Sequence, residues 1–165
     1  MELLDIYDDK GNKTGRTIIR GDKTAILNEG EHIALSIIFI QNKKGEFLIQ
    51  KTSKQKGGLY SSTGGHVSSG YTPLETIIKE VKEELGINID PNKLEEYGYL
   101  SYDMPLRYLY YIKDNIDIKD ITVQKEEVDH VEYMTTSKIN NLIDSNQMLE
   151  SHGIMFNTLL EKLNK

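Results

Sequence analysis

The chain has 165 residues, 38% of them hydrophobic, which is one ordinary domain with room for a single sizeable core. A formal net charge of −6 argues against a general nucleic-acid coat, whose footprint is basic, and an acidic protein that handles an anionic substrate needs local compensation such as metal cations. The absence of cysteine removes disulfides, thiolate nucleophiles and thiolate metal sites in one step.

The opening MELLDIYDDK has acids where a signal peptide has a basic region. No stretch approaches the roughly 18 unbroken apolar residues of a membrane helix. A cytoplasmic protein with no membrane partner and no stable nucleic-acid partner is therefore expected. Leu3 to Tyr7 reads as a strand, Asp8 to Asn12 as a turn, and Lys13 to Arg20 as the returning strand of an N-terminal hairpin. His32 to Gln41 is the most β-like stretch. Asn42-Lys43-Lys44-Gly45 turns the chain and Glu46 to Lys51 returns, which makes the clearest hairpin in the sequence. Thr52 to Tyr60 is a polar, glycine-bearing loop, and Ser61 to Val67 is a short extended piece entering Ser68-Ser69-Gly70. A helix follows from Thr72 to Gly86. Asn92 to Asp103, Arg107 to Lys113 and His130 to Thr135 read as further strands, and Ser137 to Ile143 and Met148 to Leu163 as helices. Hairpin-type strands with interspersed helices predict an α+β fold, a mixed sheet flanked by helices, in a single domain over residues 1–165.

The helix from Thr72 carries the chemistry. Thr72 can cap the first amides, Glu75 can reach back to it, Pro73 sits where its missing N–H costs nothing, and Gly86 suits the left-handed stop. At about 100° per residue, Leu74, Ile77, Ile78, Val81 and Leu85 fall on one arc, and Glu80, Glu83 and Glu84 on a flanking one. Like charges at this spacing oppose each other, so a purely structural helix gains nothing from them. Hard divalent cations want such oxygen ligands together with water and substrate phosphates. A bare Glu-x-x-Glu-Glu is nevertheless most often a solvated acidic face, here with Lys79 and Lys82 as partial partners, so the surrounding residues decide the reading.

Those residues resemble the Nudix box. From Gly65 to Ile87, the positions Gly65, Glu80, Val81, Glu83, Glu84, Gly86 and Ile87 match that signature without a gap. Two positions depart from it: Tyr71 stands where the family has Glu, and Lys79 where it has Arg. In the family those two side chains interact and steady the metal-binding helix, and Lys lacks the bidentate fork of Arg. The preceding strands, with Lys44 to Lys51 and Gly64-Gly65-His66-Val67, also resemble the family. Leu3 to Tyr7 with Lys13 to Arg16 resembles the N-terminal hairpin of the branch related to isopentenyl-diphosphate isomerase.

The resemblance implies an α/β/α sandwich with an N-terminal β-hairpin, and hydrolysis of a nucleoside diphosphate-linked or related organic diphosphate using Mg²⁺ or Mn²⁺. The metal ions would neutralise phosphate charge and activate water. Glu80 and Glu84 are the expected metal ligands, Glu83 a third ligand or the base, and the carbonyl of Gly65 a further ligand. A later loop often adds a glutamate in the family. Glu127, six residues before Tyr133, is the candidate, with Glu126 as fallback and a charged loop without a role as the alternative. An isomerase is a weaker reading, because that chemistry uses a cysteine and this chain has none. A catalytically weak nucleotide-binding module is the other. Homodimers are common in the family. His66, Lys51 and Arg107 could meet phosphate, against structural or surface roles. His32 opens a strand, where packing is the preferred role. Tyr108, Tyr110 and Tyr111 could stack a nucleobase, although alternating strand burial explains Tyr108 and Tyr110 equally well. His130 and His152 carry no argument of their own.

Overall fold

A computed structural model describes residues 1–164. In chain order the strands and α-helices are β1 (Leu3–Tyr7), β2 (Lys13–Ile19), β3 (Ala34–Gln41), β4 (Phe47–Thr52), β5 (Tyr60–Ser61), β6 (Thr63–His66), α1 (Pro73–Leu85), β7 (Glu95–Ser101), β8 (Leu106–Lys113), β9 (Val128–Met134), α2 (Thr136–Asp144) and α3 (Glu150–Leu163). Every element predicted from the sequence is present, with ends shifted by a few residues.

β1 and β2 form the expected antiparallel hairpin as a small sheet of their own. Its turn is built by Asp8, whose Oδ1 accepts the backbone N–H groups of Lys10 and Asn12 at 2.9 and 3.0 Å. The main sheet runs β9-β4-β3-β8-β7, with β5 and β6 inserted between β4 and β3. β3 and β8 are parallel, from Ala34↔Leu106 to Gln41↔Lys113, and the other pairings are antiparallel, so the sheet is mixed.

The β3–β4 hairpin departs from its simplest form. Its turn is the predicted one: Asn42 Oδ1 accepts from the amides of Lys44 and Glu46 at 3.0 and 2.9 Å, and Gly45 adopts φ 82°. The two strands then pair only at Gln41↔Phe47. Beyond that point they splay, because the segment 60–66 takes their inner edges. β5 pairs with β4 through Gln50↔Ser61, and β6 pairs with β3 from Leu35↔His66 to Ile38↔Thr63. The extended piece predicted for Ser61–Val67 is thus one strand with two partners, which change over at Ser62.

β3 is apolar on both faces because both faces are covered. Ile37 and Phe39 join Phe47, Ile49, Leu109 and Tyr111 against Phe156 and Leu159 of α3. Ile38 and Ile40 join Leu48, Tyr110 and Ile112 against Ile77, Val81 and Leu85 of α1. The result is the layered arrangement the sequence suggests, a sheet between α1 on one side and α2 with α3 on the other.

Candidate active site

α1 forms as its sequence dictates. The Thr72 hydroxyl accepts from the Glu75 amide at 3.1 Å, and Glu75 Oε1 accepts from the Thr72 amide at 2.9 Å. Gly86 ends the helix at φ 68°, donating its N–H to the Lys82 carbonyl. Ser36 Oγ donates to the Pro73 carbonyl at 2.8 Å, fixing the helix start to β3. Ile77, Val81 and Leu85 are buried, and the glutamates on the flanking arc face a cleft of about 540 Å³.

Gly65, Glu80, Glu83, Glu84 and Glu127 all line that cleft, although they come from β6, α1 and the loop before β9. Glu127 is brought there by backbone bonds. The amides of Thr122 and Gln124 donate to the carbonyls of Leu85 and Glu84 at the end of α1, both at 3.0 Å, and the Ser53 amide donates to the Glu127 carbonyl at 3.0 Å. Glu126, the fallback, receives the Ser53 hydroxyl on its main-chain carbonyl and is not among the lining residues.

Glu84 is not a solvated acid. It is 7% exposed and accepts from Gln50 Nε2 at 2.8 Å, while Gln50 Oε1 takes the Thr63 hydroxyl at 3.0 Å. Burial pushes its carboxyl up to about 8, and the charges of Glu80 and Glu127 add to the rise. Burial, and then Glu83, push Glu80 up as well. Gly65 leaves room for this pair: a Cβ there would lie 2.5 Å from Glu80 Cδ. Glu83 is half exposed, with Lys79 Nζ at 3.6 Å, and Glu127 has Lys56 Nζ at 3.3 Å. Among the described residues no three His, Cys, Asp or Glu side chains already converge as a ligand set. The donors nonetheless suit a hard divalent cation. All are oxygens, and the buried Glu84 beside the half-buried Glu80 lacks the positive charge that would let both ionise.

The two unusual positions in the helix region meet each other. The Lys79 ammonium lies over the Tyr71 ring, 5.3 Å from its centroid, and so spans Tyr71 and Glu83.

Other cleft residues carried weaker sequence signals. Gln50 is a polar residue within the apolar run of β4, which was a usable clue. Glu2 and Arg20 arrive from the hairpin, paired at 3.0 Å, with Glu2 also taking the Ser68 hydroxyl. Lys56 sits in a polar loop, and His152 in a helix whose pattern says only that it packs. His66 lines the cleft, and burial together with Arg20 and Arg107 lowers its ring to about 4. Among the remaining candidates, His32 is held by the Met104 carbonyl at 2.8 Å and Asp9 at 2.6 Å, a packing role. Lys51 lies over the Tyr60 ring, and Arg107 over Tyr102 while donating to its carbonyl. Tyr110 and Tyr111 are buried on opposite faces of β8, and Tyr108 packs against Tyr7 and Tyr99. None of these lines the cleft, so nucleobase stacking by these tyrosines is not supported there.

Comparison with known proteins places this architecture. The NUDIX domain family model matches residues 30–151. An uncharacterized Nudix hydrolase of Listeria innocua is 32% identical over 154 residues, covering 90% of this chain and 89% of that protein. Among solved structures, that of DR0079 from Deinococcus radiodurans superposes with a TM-score of 0.74 at 20% identity, over 94% of this chain and 98% of that one. The NUDIX domain of Shewanella oneidensis NrtR, complexed with ADP ribose, superposes with a TM-score of 0.64 at 13% identity, over 87% of this chain and 94% of that one. The chain belongs to the Nudix family, whose enzymes hydrolyse pyrophosphate bonds.

Proposed function

We propose that this chain, acting as one Nudix unit over residues 1–165, is a divalent-metal-dependent hydrolase of a nucleoside diphosphate-linked or related organic diphosphate. The observation that carries the reading is the joining of Gly65, Glu80, Glu83, Glu84 and Glu127 in one cleft, with Glu84 buried and pushed up. Glu80 and Glu84 would hold Mg²⁺ or Mn²⁺, with Glu83 and the Gly65 carbonyl as further ligands. A cation there supplies charge against the diphosphate and Lewis acidity for the attacking water. The chain's own groups do the rest. Gln50 fixes the orientation of Glu84, Lys56 and Arg20 add positive charge to the cleft, and Glu83 or Glu127 takes the proton from water. The absence of cysteine fits a cytoplasmic location and disfavours isomerase chemistry, although the hairpin resembles that branch.

Replacing Glu83 or Glu84 with Gln and assaying diphosphate hydrolysis with Mg²⁺ tests this. The rate should fall at least about tenfold, a barrier increase of roughly 1.4 kcal/mol. A smaller loss in both variants moves the catalytic centre elsewhere. Mg²⁺ should also raise the Tm of wild type, by mass action on the folded state.

A further inference from the structure

One wall of the cleft is contributed by the start of α3 and the Ser61-Ser62 segment. His152 stands in it. The backbone N–H of Ser62 lies 3.1 Å from His152 Nδ1, and Ser62 Oγ lies 3.0 Å from the same atom. A backbone amide can only donate, so Nδ1 is the acceptor and carries no proton. A neutral ring then bears its proton on Nε2. Burial, reinforced by Arg107, lowers the ring to about 4, which keeps this neutral form in place at neutral pH.

Nε2–H has no hydrogen-bond partner among the described residues and is not sealed from solvent, and His152 lines the cleft. Its position is fixed. The Leu149 amide donates to the Tyr60 carbonyl at 2.9 Å, and the Tyr60 amide donates to the Gln147 carbonyl at 2.9 Å, lacing the start of α3 to β5. Ser62 is followed by Thr63, which holds Gln50 and through it Glu84. The free donor and the buried carboxylate therefore hang on adjacent residues of one strand. The rest of this wall is polar apart from Leu149, and among the described residues the cleft lining includes no Phe, Tyr or Trp. A group bound there is read by hydrogen bonds rather than by ring stacking.

We propose that His152 is a substrate-binding residue whose Nε2–H donates to a hydroxyl or ether oxygen of a sugar-like group attached to the diphosphate. This rests on the reading of the cleft as the diphosphate site.

Two substitutions separate this role from a structural one. In His152→Asn the side-chain oxygen can replace Nδ1 as acceptor for Ser62, and the cleft donor is lost. In His152→Gln the amide nitrogen can replace Nε2–H, and the Ser62 contact is lost. The probes are methylene analogues of ADP-ribose and UDP-glucose, whose diphosphate bridge does not hydrolyse, with Mg²⁺, titrated by calorimetry. The expected result is that Asn weakens binding of at least one probe about tenfold or more, while Gln stays within about threefold of wild type. Binding by Asn that equals or exceeds binding by Gln overturns the proposal, and so does a wild-type protein that binds neither probe. Wild-type binding without hydrolysis of authentic ADP-ribose or UDP-glucose would sink the hydrolase reading instead and leave the Asn–Gln contrast readable. If either variant fails to fold, ¹⁵N NMR of the wild-type ring decides: a proton on Nε2 and none on Nδ1 is expected, and a proton on Nδ1 overturns the proposal.

Discussion

Gly64 and Gly65 are neighbours with opposite reasons for being glycine, and neither needs a left-handed backbone. A Cβ on Gly64 would sit 2.5 Å from the Ser36 backbone oxygen, which the β3 pairing holds in place. A Cβ on Gly65 would meet the end of the Glu80 side chain, which can swing away. Gly64→Ala should therefore destabilise the fold by about 1–3 kcal/mol. Gly65→Ala should cost under about 1 kcal/mol of stability and lower the hydrolysis rate at least about tenfold by moving the Glu80 carboxylate. Thermal melts and steady-state rates on the two variants check this, and a Gly65→Ala enzyme of wild-type rate would remove Glu80 from the site. Sequence matching legibly placed Gly65, Glu80, Glu83 and Glu84, whose spacing is local to one strand, loop and helix. It could not show that Glu84 is buried against Gln50. That depends on β4 and α1 meeting, which is a property of the sheet and not of either segment.

At the scale of the element, α1 was legible in full, because a capping box, an apolar stripe and a stop glycine are all local signals. What its sequence left open was the effect of Tyr71 and Lys79. The ammonium above the ring shows that the two positions still interact, through the face of an aromatic in place of a carboxylate. The partly exposed contact is worth about 0.5–1 kcal/mol. Tyr71→Ala should therefore slow hydrolysis by a factor of about two to five, by freeing Lys79 beside Glu83, while Tyr71→Phe retains the ring and the rate. Equal rates for the Ala and Phe variants would show that the ring does not steady the helix. The β3–β4 hairpin was legible only at its turn. Its apolar runs and its Asn42–Gly45 signal are local, whereas the insertion of residues 60–66 between the strands is set by which partner satisfies their inner hydrogen bonds.

For the whole molecule, the two-sided burial of β3 follows from the near-continuous apolar run in its sequence. The attachment of the hairpin does not, because it joins segments far apart in the chain: Tyr7 packs against Ala34, Val67 and Leu106, and polar contacts add to that. Asp5 takes Ser69 Oγ at 2.8 Å, the Gly70 amide at 3.0 Å and Lys13 at 3.0 Å, and His32 bridges the β1–β2 turn to Met104. The hydrogen bond to Asp9 raises the His32 pKa above 6.5, with the Met104 carbonyl and the charges of Asp9 and Asp8 contributing in the same direction. A raised value stabilises the fold fully below the unfolded pKa, and the benefit is lost as pH rises through the folded one. The Tm advantage of wild type over His32→Gln should therefore be largest near about pH 6 and shrink toward about pH 9. The effect should be small, because the Asp9 side chain is 74% exposed. An advantage that grows with pH would mean that His32 is neutral in the fold.

The changeover at Ser62 also has a consequence in time. The strand that carries Ser62, Thr63 and Gly65 lies between β4 and β3, and β3 is completed on its other side only when β8 arrives from residues 106–113. Pairings between segments so far apart in the chain form slowly compared with a capped helix. A nascent or refolding chain can therefore display the glutamate-bearing helix well before it owns a cleft, whose wall waits for the last helix to bring His152 against Ser62. The recognisable motif is early and local, while the cleft it lines is late and belongs to the completed sheet.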